Sequence, residues 1–164
     1  MKETMRDAPG VGLAAPQVGH SLQLAVIEDG PLTLGSYSPE QLAEREREPV
    51  PFHVIVNPVI TDGETAASSV EFFEGCLSLP GFVAIVPRAR KIRVECLNER
   101  GEATVIEASG WYARILQHEI DHLRGTLYVD RMHTRSLMNV DEFNRHWKGK
   151  PLPEVKALLQ ITSG

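Results

Sequence analysis

The segment from Ser109 to Gly125 limits what this chain can fold into more than any other. Ser109 is a candidate N-cap, Gly125 stands where a C-terminal glycine cap belongs, and apolar residues recur between them at helical spacing. Trp111 and Ile115 line one face of that helix, while Leu116, Ile120 and Leu123 line an adjacent one. A helix apolar on both faces has to be buried, so the rest of the chain must wrap it. Yet it carries His118-Glu-Ile-Asp-His122, and such polar groups are costly to bury without a partner. Histidines four apart lie one turn above each other, about 40° apart around the axis, so both imidazoles can reach one ion. Glu119 projects beside them, close enough to act on a water without being a ligand. The plainer reading is a chance match with hydrogen-bonded core histidines.

The wrapping elements are strands. Leu22 to Ile27 reads as a buried strand closed by Asp29-Gly30-Pro31, and Phe52 to Val56 as a second, stopped by Asn57-Pro58. Residues 83–86 form a third. Lys91–Leu97 and Ala103–Ala108 flank Asn98-Glu-Arg-Gly-Glu102 as a hairpin. Residues 1–9 read as the tail of a helix, and residues 10–19 as a glycine-punctuated turn or irregular strand. Ser38-Pro-Glu-Gln41 combines an N-cap serine, a proline at the first helical position and a capping-box glutamine, which starts a charged surface helix through about Arg47. A last helix starts near Pro153. The sum is an α+β plan, antiparallel or mixed sheets packed around the central helix, in one domain over residues 1–164.

Composition narrows the class of function. Of 164 residues 42% are hydrophobic, enough for a core. The formal charge of −5 shows no dominant basic patch, which argues against direct nucleic-acid binding. No apolar run approaches the ~20 residues that span a bilayer, and the polar start matches neither a signal nor a transit peptide. Two cysteines, Cys76 and Cys96, in a chain of this size suit free thiols in a reducing compartment.

Two histidines alone do not hold a metal, so a third ligand is needed. Downstream, the longer metalloprotease spacing places Tyr128 where a third histidine belongs. Tyr128 does not fill that place; Glu142 could serve as a later glutamate ligand, and with it the chain would be an H-E-x-x-H zinc endopeptidase. Upstream, Glu74-Gly-Cys-Leu77 offers Cys76, which on its own also reads as a small core residue.

Three segments occur in order: Gly10-Val-Gly-Leu-Ala-Ala-Pro-Gln17, Glu74-Gly-Cys-Leu77 and Gln117-His-Glu-Ile-Asp-His122. Together they resemble the peptide deformylases, whose motifs read GxGLAAPQ, EGCLS and QHExDHL, from about Met5 to Met132. Pro80-Gly81-Phe82 and Ser109-Gly-Trp-Tyr-Ala-Arg114 resemble the branch with organellar enzymes and their bacterial relatives. The resemblance implies removal of the formyl group from N-formylmethionyl peptides and nascent chains leaving the ribosome, in a bacterial cytoplasm or an organelle. It implies Cys76, His118 and His122 as ligands of one divalent ion, iron(II) natively, with zinc, nickel or cobalt able to substitute. Glu119 would be general base and acid, and Gln17 and the Leu77 N–H would hold the oxyanion. Gly10, Val11 and Gly12 would offer a strand edge to the peptide, with Val11, Phe72, Trp111 and Ile115 around the methionine side chain. Glu74 and Asp121 would steady an imidazole or pair with arginine. The family usually carries more chain ahead of its first motif than the nine residues before Gly10. A binding module with a structural metal is a third reading, but such sites are closed by four protein ligands, and three are in hand.

Overall fold

In the computed structural model residues 1–8, 10–62 and 69–161 are described. They form two compact units that interleave along the chain. The first comprises Met1–Ser69 and Arg88–Thr126, the second Val70–Pro87 and Leu127–Gly164.

The first unit is built on a five-stranded sheet of β1 (Gly12–Ala14), β2 (Leu24–Asp29), β3 (Val50–Asp62), β6 (Lys91–Leu97) and β7 (Ala103–Ser109), in that spatial order. Every neighbouring pair is antiparallel. The hairpin β6–β7 forms where alternation and the Asn98–Glu102 turn call for it, with the Asn98 side chain accepting from the N–H groups of Arg100 and Glu102. Against this sheet packs the central helix α4 (Gly110–Leu123), eleven of whose fourteen residues are buried. Ile27, Ile55 and Val94 from the sheet meet Leu116 and Ile120 from the helix in one core. A smaller cluster gathers Met5 of α1 (Lys2–Asp7) with Leu13 and Val26.

Several expectations for this unit need correction. β3 does not stop at Asn57-Pro58. It runs on to Asp62 through a register shift between Val56 and Val59, with Asn57 at φ 50°. Pro58 is tolerated because it sits in the bulge, where a missing donor breaks no ladder bond. β2 continues to Asp29, and Gly30-Pro31 opens a one-turn helix, α2 (Pro31–Leu34). The capping box at Ser38 and Gln41 forms in both directions, 3.0 and 3.3 Å. The helix it starts, α3 (Pro39–Glu44), ends before Arg47, which turns inward instead of lying on the surface. Arg47 is buried because it meets buried Asp29 in a two-pronged ion pair at 2.7 and 3.0 Å. Ser109 has the extended backbone of an N-cap, but its side chain makes no cap bond. The first helical N–H groups go instead to carbonyls of neighbouring segments, Gly110 to Arg90 and Trp111 to Glu46.

In the second unit β4 (Ser69–Cys76), β5 (Leu79–Ala89) and β8 (Met138–Asn139) make a three-stranded sheet with β5 central. The strand expected at residues 83–86 is the middle of β5, which extends both ways and carries the chain into the first unit at Arg88. Ala84, Val86 and Tyr128 form its core. Helix α5 (Val140–His146) is capped by Asn139, and α6 (Leu152–Leu158) is the expected last helix. Glu71 on β4 accepts from Lys156 of α6 and pairs with His133 at 2.6 Å. Burial alone would raise the Glu71 carboxyl, but these two partners more than offset it and hold it below the ordinary range. Expectations for Pro9 lie outside the described residues.

Candidate active site

Helix α4 puts His118 and His122 one turn apart, with ring centroids 5.0 Å from each other and planes at 78°. His118 is half-buried and His122 buried. Between them Glu119 is 4% exposed, so its carboxylate belongs to the interior. It lies against Gly12 of β1: a Cβ built there would come within 2.3 Å of its Oε1.

The helix is held in place by polar contacts of its own motif. The Gln117 carboxamide bonds twice with the backbone of Ala89, accepting from N–H at 3.0 Å and donating to C=O at 2.9 Å. Its amide also donates to Ala113 O, one turn back. Asp121 pairs with Arg88, both buried, which is the arginine partner expected for it. At the far end Gln23 donates to the carbonyl of Leu123 at 2.9 Å. Sequence reading assigned no role to Gln117, Arg88 or Gln23. The available signal was an arginine following the apolar run 83–86, since a charge beside a buried strand needs a counter-charge.

Gln17 lies on the 3-10 turn Ala15–Val18 that follows β1, and its Oε1 accepts from Ala14 N–H at 2.8 Å. That bond commits the oxygen, so the polar atom at the other end of the amide is its NH2 donor. β1 is a terminal strand of its sheet, preceded by half-buried Gly10 and Val11, and the Val11 carbonyl accepts from Glu28. Ile115 is a buried member of the main core, which Val11 and Trp111 flank. The Trp111 ring has the guanidinium groups of Arg47, Arg114 and Arg45 within 5.1 to 5.9 Å of its centroid.

In the second unit Cys76 ends β4, half-buried and outside any disulfide. The N–H of Ser78 points at its Sγ, 3.4 Å away. Leu77 stands in the turn between β4 and β5, exposed, while Phe72 is half-buried and Glu74 buried on β4. The two downstream alternatives are otherwise engaged. Tyr128 is 1% exposed and its hydroxyl donates to the Phe82 carbonyl; burial, then the charges of Cys76 and Glu74, raise its phenol. Glu142 is on the surface in the first turn of α5, paired with Arg145 at 2.6 Å. Cys96 is buried in the first core, and burial raises its thiol.

A helix with His, Glu and His committed to its inner side, supported by a buried carboxamide and a buried ion pair, belongs to the class of H-E-x-x-H metal sites. The family model for polypeptide deformylase matches residues 1–137. Peptide deformylase 3 of Streptomyces avermitilis is 48% identical over 155 residues, 94% of this chain and 66% of that protein. The chloroplastic peptide deformylase 1A of Solanum lycopersicum is 46% identical over 88% of this chain and 51% of its own length. The solved peptide deformylase of Thermus thermophilus has a TM-score of 0.66 at 45% identity, over 82% of this chain and 69% of that one. The chain belongs to the polypeptide deformylase family. It spans about two thirds of the Streptomyces relative and half of the tomato one. Among the described residues no helix is long and apolar enough to cross a membrane.

Proposed function

We propose that this protein hydrolyses the N-formyl group from N-formylmethionyl peptides and releases formate. The observation that carries the reading is the buried Glu119 carboxylate on a helix that presents a histidine on either side of it. Family membership selects deformylation from the reactions such a helix can support.

The proposed ligands of one divalent ion are Cys76 Sγ and one ring nitrogen each of His118 and His122. One thiolate and two imidazoles fit a borderline metal and leave a coordination position open. When bound, such an ion supplies a Lewis acid and a water of lowered pKa. Glu119 accepts the proton of the attacking water and passes it to the departing amine. The Gln17 amide and the backbone N–H of Leu77 donate to the oxygen that gains negative charge. The substrate backbone adds along Gly10, Val11 and Gly12, and its methionine packs with Val11, Phe72, Trp111 and Ile115. The proposed catalytic domain is the whole of residues 1–164. Iron(II) is the proposed native ion, with zinc, nickel and cobalt as substitutes. The substrate is a nascent chain at the ribosome, and the setting is the bacterial cytoplasm, with an organelle as the alternative.

The test incubates the metal-loaded protein with a formyl-Met peptide and with its unformylated twin. Formate from the first, with neither peptide cut internally, is the expected result; internal cleavage or no formate overturns the reading. Cys76→Ala should lose the metal by elemental analysis while Cys96→Ala keeps it. Glu119→Gln should keep the metal and lose at least about 10²-fold in kcat.

A further inference from the structure

Gly12 is buried on β1, and its φ lies outside the left-handed region, so its backbone does not by itself demand glycine. Space does. A Cβ at this position would meet Oε1, Cδ and Cγ of Glu119 at 2.3, 2.5 and 2.7 Å, three atoms of one side chain. These are the three nearest atoms, ahead of any backbone. An added methyl would therefore push on the Glu119 arm before anything else. Glu119 is 4% exposed and its helix neighbours Ile115 and Ile120 are 3% and 1% exposed, so the arm has to leave its present seat.

We propose that Gly12 is the positioning residue for Glu119: the room left by its missing side chain is the seat of the carboxylate. This rests on the reading of Glu119 as proton acceptor, and it differs from the sequence expectation that Gly12 belongs to the strand edge offered to the peptide. The two roles separate in kinetics. A displaced base slows the chemical step, and a misplacement of about 1 Å is worth on the order of 10²-fold in rate. A blocked strand edge weakens substrate binding and raises KM.

The experiment is a cycle of Gly12→Ala, Glu119→Asp and the double variant, each loaded with the same metal. Aspartate lacks one methylene, so it withdraws the arm from the space a Cβ would fill. Gly12→Ala should lower kcat about 10²-fold with KM within about threefold of wild type and metal content unchanged. In the Glu119→Asp background the same substitution should cost only a few-fold. A crystal structure of Gly12→Ala should show the Glu119 carboxylate displaced, a readout that does not depend on the deformylase reading. If Gly12→Ala does not fold, Gly12→Ala/Glu119→Ala should restore folding. The proposal is overturned by a rise in KM with kcat intact, by equal losses in both backgrounds, by an unmoved carboxylate, or by a fold not restored. Absence of formate release from the wild type would sink the functional reading instead, and leave the seat to be judged on the crystal structure.

Discussion

The two units keep their shape by different means. Among the described residues the first buries fifteen in one core between sheet and helix, so loss of water from apolar surface can hold it. The second gathers, among the described residues, only three buried ones, Ala84, Val86 and Tyr128, in its cluster, buries Ile85 and Val155 besides, and adds a polar fastening of Glu71, Lys156 and His133. Polar side chains also pin the helix of the first unit, but they do so inside a core already closed by apolar contacts. The difference teaches where rigidity is concentrated: Glu119, both histidines and Gln17 sit on the heavily packed unit, while Cys76 and Leu77 sit on the lightly packed one.

Four measurements can break or sharpen this contrast. The largest effect belongs to the first core. Leu116→Ala, at a fully buried position, should cost about 2–5 kcal/mol in urea unfolding. A loss under about 1 kcal/mol would mean the core does not carry the first unit. Next comes Gln17→Leu, expected to lower kcat by on the order of 10²-fold with little change in KM. A pure KM effect would move Gln17 from the oxyanion to substrate anchoring.

The third concerns the fastening in the second unit. Glu71 has a depressed pKa, so its contribution is complete above the unfolded value near 4.5 and is lost as pH falls through the lower folded value. The stability gap between wild type and Glu71→Gln, about 1 kcal/mol at neutral pH, should therefore shrink as pH drops below 4.5. A gap that stays constant down to pH 2–3, about two units lower, would remove the carboxylate from the account. The smallest effect is at the surface: Arg6→Ala breaks the exposed pair with Glu28 and should leave the urea midpoint almost unchanged in the same unfolding assay.

Local signals were legible in the sequence, and long-range ones were not. Helix α4 and the hairpin β6–β7 follow from periodicity, a turn and a glycine cap, all within a few residues of where they act. The extension of β3 past Asn57-Pro58 was hidden because the breaker residues are absorbed by a bulge that only a partner strand can define. Arg47 read as surface because its counter-charge, Asp29, is 18 residues away. The proposed ligand and base residues could be named from the sequence because chemistry restricts which residue types can serve there. What keeps them in position was not: nothing in the string Gly-Val-Gly shows that Gly12 faces Glu119.

The double bond of Gln117 to the backbone of Ala89 has a mechanical consequence. An α-helix is a screw, in which a slide of one residue is about 1.5 Å of travel and about 100° of rotation together. A carboxamide that takes the place of a strand's peptide group, next door to His118, stops both motions at once. Height along the axis and azimuth about it become a single quantity, set by one side chain. The pair of imidazoles on such a helix can turn about their own χ angles but cannot drift as a unit. In the proposed metal site, any accommodation of ions of unequal radius would then fall to donors that the helix does not carry.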